Sequence, residues 1–474
     1  MISMPRHHPR FVTQLAKTGL WLGLFTIAIF FTHPLQAAPP APRIATRVFF
    51  QDEDSRLLKW ADLLLTTNEL KLGPVSQVDG FPTLDVKRQS LVQMEAARGK
   101  ILIGVRDDDD GHFQSGWVLI DTGVDEEEHE SHSHWDYVRP PRVLASVLDD
   151  KQGNPAHLYC YDKVFYLAND KLNGYTRLDP QGTTSATDPG TIKSRAVFHA
   201  GGGGHITLAA AGKMVGYSSW IDREGPNKGR VDVTGLRSHG VGEVKYSLSL
   251  PSGGIHGATA CQGKIFFAPS DGICWLTADT QLQTDPQQVK IHHVSLGKDG
   301  DKPRRTGAFT TFGSHVAFNT GEGSNAEVGF IDAARQTIDI HRVPINMAEG
   351  NRPTGLEIVQ PRKGSPLAFV FHDHSADVSA PNRLSLIETD PNQDGDWADA
   401  KVALETDVGP ARGEGHAGHH SVSFDADRRR AIFTNPGEAT LVVFALDERR
   451  PVATFQIGGI PSKVIAVGGR ADSD

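Results

Sequence analysis

The sequence predicts an all-β protein, a closed β-propeller of eight blades. Three observations carry that expectation: a strand–turn–strand pattern that recurs along the chain, its nearly constant spacing, and an unmatched half-blade at each end. In the pattern, a short segment with His, Gly or Pro runs into a strand. A tight turn and a second strand of aromatic and β-branched residues follow. Copies open at Pro155-Ala156-His157, Gly204-His205, Ile255-His256, Thr306-Gly307, Pro353-Thr354 and His419-His420, with an earlier one near Pro82-Thr83. The steps from His157 to His205, His256, Gly307 and Thr354 are 48, 51, 51 and 47 residues. The steps from Thr83 to His157 and from Thr354 to His420 are 74 and 66, which implies insertions. Alternating Val, Ile, Phe and Tyr, with few stripes of helical period, excludes a helical solenoid.

The ends explain each other. Residues 460–467 read as a first strand with nothing after it, and Thr46–Asp52 as a second strand with nothing before it. Pairing them near Val48 closes the ring and removes two exposed sheet edges. First strands near 83, 157, 205, 256, 307, 354, 420 and 462 make eight blades. The copy at 83 is the weakest, and without it the count is seven.

Composition agrees. Of 474 residues, 38% are hydrophobic and 49 are Gly, which suits a chain with a core and many turns. A net charge of −9 argues against nucleic acid as the partner. Three Cys cannot form a four-thiolate zinc module. Cys261 and Cys274 fall in one blade and are close enough in sequence to pair, leaving Cys160 free.

Residues 1–37 read as a secretory signal peptide. Arg6, Arg10 and Lys17 precede the apolar run Gly19–Phe31, and cleavage is expected after Ala37. The mature chain, 38–474, would carry a charge of −12. A periplasmic location is expected, with no membrane insertion after cleavage.

Histidine is the informative residue, at 21 copies. Innermost propeller strands line one channel, so equivalent positions converge. His157, His205 and His256 occupy near-equivalent positions in three consecutive blades, and His419 and His420 share their phase. Neutral imidazoles are good zinc ligands, and three or four of them fill a tetrahedral site. His420 or His419 is the expected fourth ligand. A second cluster, His129, His132 and His134, sits in an acidic insertion at 125–136 and reads as a flexible metal-binding tract that passes an ion on. A third, His372-Asp373-His374, would place its two His on one face of a strand and Asp on the other, whereas on a loop all three could share one metal ion; the alternative is a plain surface turn. His112, His239, His292, His293, His315 and His341 read as ordinary surface or core histidines.

Other motifs carry less. Asp107–Asp110 lacks the spaced ligands of an EF-hand loop and reads as a solvated turn. Gly201–Gly204 has no following Gly-Lys-Ser/Thr and is not a phosphate loop. No Gly-x-Ser-x-Gly elbow marks a hydrolase.

The order of these motifs resembles the AztD-type zinc metallochaperones. The resemblance is carried by the His-rich loop at 125–136 with Pro140, and by Pro155-Ala156-His157. It continues in Gly204-His205-Ile206-Thr207 and Gly254-Ile255-His256-Gly257. Gly418–Asp425 with Thr434-Asn435-Pro436-Gly437 completes it. The resemblance implies an exported propeller that binds Zn2+ and passes it to the periplasmic solute-binding protein of a zinc ABC transporter, without catalysis and as a monomer. The cysteines depart from the family pattern: Pro251-Ser252-Gly253 stands where a Cys is expected before the third His, and Cys261 follows it. The competing class is a secreted propeller enzyme, a lactonase, lyase or oxidoreductase with a channel metal. It would need a general base beside the His set, and none is evident. A protein-binding propeller with incidental histidines is a third reading.

Overall fold

The computed structural model describes residues 42–67, 69–107, 114–129, 133–183, 188–237, 242–374, 382–412 and 418–471. The expected signal peptide, His132, His112, His239 and most of the Asp107–Asp110 run lie outside them.

Among the described residues, eight antiparallel sheets of four or five strands follow one another along the chain, with two further two-stranded ribbons. Blade 1 holds Arg43–Asp52, Leu57–Leu65 and Leu70–Leu72, and its innermost strand is Pro461–Val467 from the other end of the chain. Blades 2 to 8 begin with inner strands Gln89–Ala97, Pro155–Tyr161, Leu208–Ala211, Ala258–Cys261, Thr310–Phe312, Asn351–Val359 and Val422–Phe424. These match the eight first strands read from the sequence. The copy near Thr83 precedes a true inner strand, so the count is eight.

Ring closure takes the expected form. Val48 pairs with Ala466 and Phe50 with Val464 in an antiparallel register. Asp52 adds a polar latch, its Oδ1 accepting the Ile460 N–H at 2.8 Å. Both faces of each sheet are apolar because each is buried against a neighbour. The eight buried clusters lie one at each blade–blade seam. One is formed by Phe49, Leu58, Ile101 and Val118 between blades 1 and 2. Another, between blades 8 and 1, holds Val48, Phe50, Ile432, Val443 and Val464.

The three cysteines are free, so the Cys261–Cys274 pair is not formed. The register explains this: Cys261 sits opposite Lys264 and Cys274 opposite Phe267, on the two strands that flank Lys264–Phe267 and at its opposite ends. No helix among the described residues is long and apolar enough to cross a membrane.

Inner strands all start on one face of the ring and end on the other. They surround a cavity of about 1280 Å³, into which Glu95, Glu357 and Lys463 project. Deleting residues 460–474 removes the inner strand of blade 1. At roughly 1.5–3 kcal/mol per buried aliphatic side chain, the loss of Val464 with its half-buried neighbours should cost at least about 4 kcal/mol. Thermal and denaturant unfolding checks this, and a truncated chain melting like the intact one would show that the ring does not depend on this strand.

Candidate metal centre

His157, His205 and His256 come together. One ring nitrogen from each lies within 4.8 Å of the other two. His157 Nε2 and His205 Nε2 are 2.9 Å apart. The ring centroids of His205 and His256 are 5.0 Å apart, and those of His157 and His256 5.7 Å. Zn–N bonds of about 2.0–2.1 Å in a tetrahedron put ligand nitrogens about 3.3 Å apart. Side-chain rotations of about an ångström therefore turn this arrangement into a coordination site.

Each imidazole is aimed by a different device. His157 lies in a bulge of its strand, where the register shifts between Pro155 and Leu158. Such an extra residue re-aims the side chain. The Leu158 N–H that follows the bulge is taken by Gln93 Oε1 of blade 2 at 2.9 Å.

His205 ends the glycine run that the sequence leaves without a ligand. Gly202 has φ +81°, and a Cβ there would lie 2.8 Å from the Ser219 carbonyl. A Cβ on Gly203 would lie 2.4 Å from the Trp220 ring. The run is glycine because the chain must press against blade 4 before it turns into the channel. Asp232 fastens it, accepting the Gly202 N–H at 3.0 Å and Trp220 Nε1–H at 2.7 Å.

The ring of His205 is then fixed by Asp170, the residue after the second strand of blade 3. Asp170 Oδ2 lies 3.1 Å from His205 Nδ1, and Oδ1 accepts the Ile206 N–H at 3.0 Å. Arg106 stands 3.7 Å behind the same carboxylate. For His256 the Gly307 carbonyl of blade 6 serves, 3.3 Å from Nδ1. These acceptors assign the proton to Nδ1 in both rings, which leaves the Nε2 lone pair for a metal. Burial, then the neighbouring His205, pushes the His256 imidazole below its usual pKa, which favours the neutral, ligating form.

The other expected ligands do not join this group. His419 and His420 belong to blade 8, four blades from His205, and the width of an eight-bladed ring keeps them away. They form a cluster of their own around Asp373. Asp373 Oδ1 lies 2.6 Å from His420 Nδ1, and Oδ2 lies 3.1 Å from His419 Nδ1. His420 Nε2 is taken by the Gly409 carbonyl at 2.9 Å, so neither of its nitrogens faces a metal. Burial alone would raise the Asp373 carboxyl, but His420 and His419 hold it well below the usual carboxylate range. His372 is a core residue bonded through Nε2 to Ser385 Oγ at 2.7 Å, its imidazole pushed down to about 4 by burial. His374 packs against Gly350. His-Asp-His is thus not one ion's ligand set: its Asp fastens blade 8 to blade 7.

In the insertion at 125–136, Asp125–Glu128 pairs antiparallel with Ser133–Asp136, with Glu127 directly opposite His134. His129 and His134 meet with ring centroids 4.8 Å apart. Lys163, in the turn that ends the first hairpin of blade 3, pairs with Glu128 at 3.5 Å. That turn closes the far end of the strand carrying His157, and six residues of strand span about 20 Å. The paired strands of the insertion therefore sit on the face where inner strands end, while the three imidazoles gather where they begin. Direct contact of the insertion with an ion held by those imidazoles, as the sequence suggests, does not fit this placement.

Asp170 was missed from sequence because it touches His205 from the preceding blade, 35 residues away. An acidic residue at the end of a second strand, one blade upstream of a candidate ligand, is the available signal.

No family model matches the chain, and no curated protein sequence matches it. Solved structures do match in fold. AztD of Citrobacter koseri aligns at 15% identity over 91% of this chain and 100% of that one, with a TM-score of 0.61. Its apo form aligns at 14% over 90% and 99%, TM-score 0.59. The dihydro-heme d1 dehydrogenase NirN, in complex with DHE, aligns at 13% over 91% and 78%, TM-score 0.51. At these identities the likeness is one of fold, and the site rests on its own geometry.

Replacing Asp170 with Asn should weaken zinc binding about 10- to 100-fold with the melting temperature nearly kept, since such an outer partner orients a ligand without bonding the metal. Asp373→Ala should do the reverse: it strands the buried His420 and the partly buried His419 and should cost about 3–5 kcal/mol, leaving zinc affinity unaltered. Calorimetric zinc titration alongside chemical denaturation separates the two.

Proposed function

We propose that this chain is an exported zinc-binding metallochaperone. It holds Zn2+ with His157, His205 and His256 and delivers it to the solute-binding protein of a zinc ABC transporter. One observation supports this above the rest: three consecutive blades each contribute an imidazole to one group, and in two of them Nδ1 already faces an acceptor, which leaves Nε2 for an ion. The AztD-like order of motifs and the AztD-like fold point the same way. Periplasmic export rests on the signal-peptide pattern of residues 1–37.

A holding site suits these residues better than a reacting one. Catalytic zinc needs a base free to move a proton, and Asp170, the carboxylate at the site, is engaged by His205 and the Ile206 N–H. Delivery is expected from the face where the imidazoles open, by ligand exchange with an incoming acceptor.

His205→Ala should lose the tight zinc equivalent altogether, because two imidazoles cannot complete the site. A chain lacking His129, His132 and His134 should keep both its tight affinity and its rate of transfer to the solute-binding protein. Mass-spectrometric zinc content and stopped-flow transfer test the pair. Full stoichiometry in His205→Ala would refute the site, and slowed transfer without the insertion histidines would return that insertion to the delivery path.

A further inference from the structure

We infer that the fourth coordination position on an ion held by His157, His205 and His256 takes a carboxylate, drawn in by Arg305. The inference rests on the zinc-binding reading proposed above.

The argument begins with charge. The three imidazoles are neutral, so they leave the ion its two positive charges, and among the described residues they are the grouped ligands, which leaves one position of a tetrahedral zinc site to fill. Asp170 cannot neutralise the ion from where it stands. Its oxygens face His205 Nδ1 and the Ile206 N–H, and Arg106 already lies 3.7 Å from it.

Arg305 adds a further positive charge. It lines the same cavity as His157 and His256. It lies two residues before Gly307, whose carbonyl accepts from His256. Its Nη2 donates to the Gly254 carbonyl at 3.2 Å, two residues before His256 in the chain. Among the described residues no Asp or Glu forms an ion pair with it. Its neighbour Arg304 shows what a satisfied arginine looks like here, bonded to Asp299 at 2.7 Å and Glu327 at 3.0 Å. Burial, then the nearby Arg223, lowers the Arg305 pKa, as expected of a partly desolvated cation beside a like charge.

A guanidinium has five N–H donors in a planar fork, and the Gly254 carbonyl occupies part of it. A carboxylate has two oxygens to share between two cations. One binds the metal, and the other accepts from Arg305 in a charge-assisted hydrogen bond. A neutral water at the same position satisfies neither excess charge. The carboxylate comes either from a dissolved small acid or from a Glu or Asp side chain of a docked protein.

Cobalt(II) makes this visible, because zinc itself is d10 and has no ligand-field spectrum. The cobalt-loaded full-length protein is titrated with sodium acetate in one arm and with the capped peptide acetyl-Gly-Glu-Gly-amide in the other. Saturable shifts of the visible bands are expected. In Arg305→Gln the anion should bind about tenfold more weakly while cobalt affinity without anion holds within about twofold. Arg305→Lys, which keeps the charge, should fall between. Shifts with both titrants mean that a protein-borne carboxylate reaches the ion. Shifts with acetate alone confine the position to small acids. Tetrahedral cobalt bands that ignore both titrants, or respond equally in Arg305→Gln, overturn the inference and leave the zinc site standing. A wild-type protein without tetrahedral bands, or with bands that survive His205→Ala, overturns the site and the inference with it.

Discussion

Everything in this molecule depends on apolar seams that run between blades and close on themselves. A four-stranded sheet with two oily faces has nothing to do with them alone, and eight such sheets in a ring cover every face with a neighbour. The seam between blades 8 and 1 is built from both ends of the chain, from Val48 and Phe50 on one side and Val464 on the other. Because no seam is left open, inner strands are held at fixed angles around the channel. Residues some fifty positions apart in sequence can then meet with ångström tolerances. His157, His205 and His256 are neighbours because the seams between blades 3, 4 and 5 hold their inner strands side by side.

Within that frame the fold uses one polar device twice and obtains two outcomes. Asp170 and Asp373 each close a second strand, accept from the Nδ1 of a histidine in the next blade, and accept the N–H of the residue after it. The two stand four blades apart. Beside His205, imidazoles from the flanking blades arrive at the same point. Beside His419, the neighbouring ring is His420, already spent on Asp373 and Gly409. The brace is thus a structural joint between blades, and histidines on the adjacent inner strands make it part of a ligand set.

The architecture was legible because propeller blades repeat locally. Each copy has its own turn and its own alternation, and their spacing survives insertion. The three convergent histidines were legible for the same reason, since phase within the repeat is position around the channel. What sequence could not supply was width and face. Phase alone puts His419 with His205, although a ring of eight holds them apart. Phase also says nothing of the insertion at 125–136, whose end of the blade follows from counting strand directions up to Asp121. Asp170 escaped because its partner lies in another repeat. Gly201–Gly204 was set aside as a failed phosphate loop, while its glycines answer to the backbone of Ser219 and the ring of Trp220.

The closure strand also sets a clock. Arg43–Asp52 leaves the ribosome long before its partner, Pro461–Val467, is made. At about 5–20 residues per second, synthesis of the intervening chain takes roughly 20–80 s. Throughout that interval the first sheet carries a ten-residue edge with unpaired N–H and C=O groups, flanked by Val48, Phe49 and Phe50. A growing chain of this design is most open to sticking to its own copies until its final strand appears. The apolar seam that makes the finished ring rigid is, during synthesis, the surface most in need of cover.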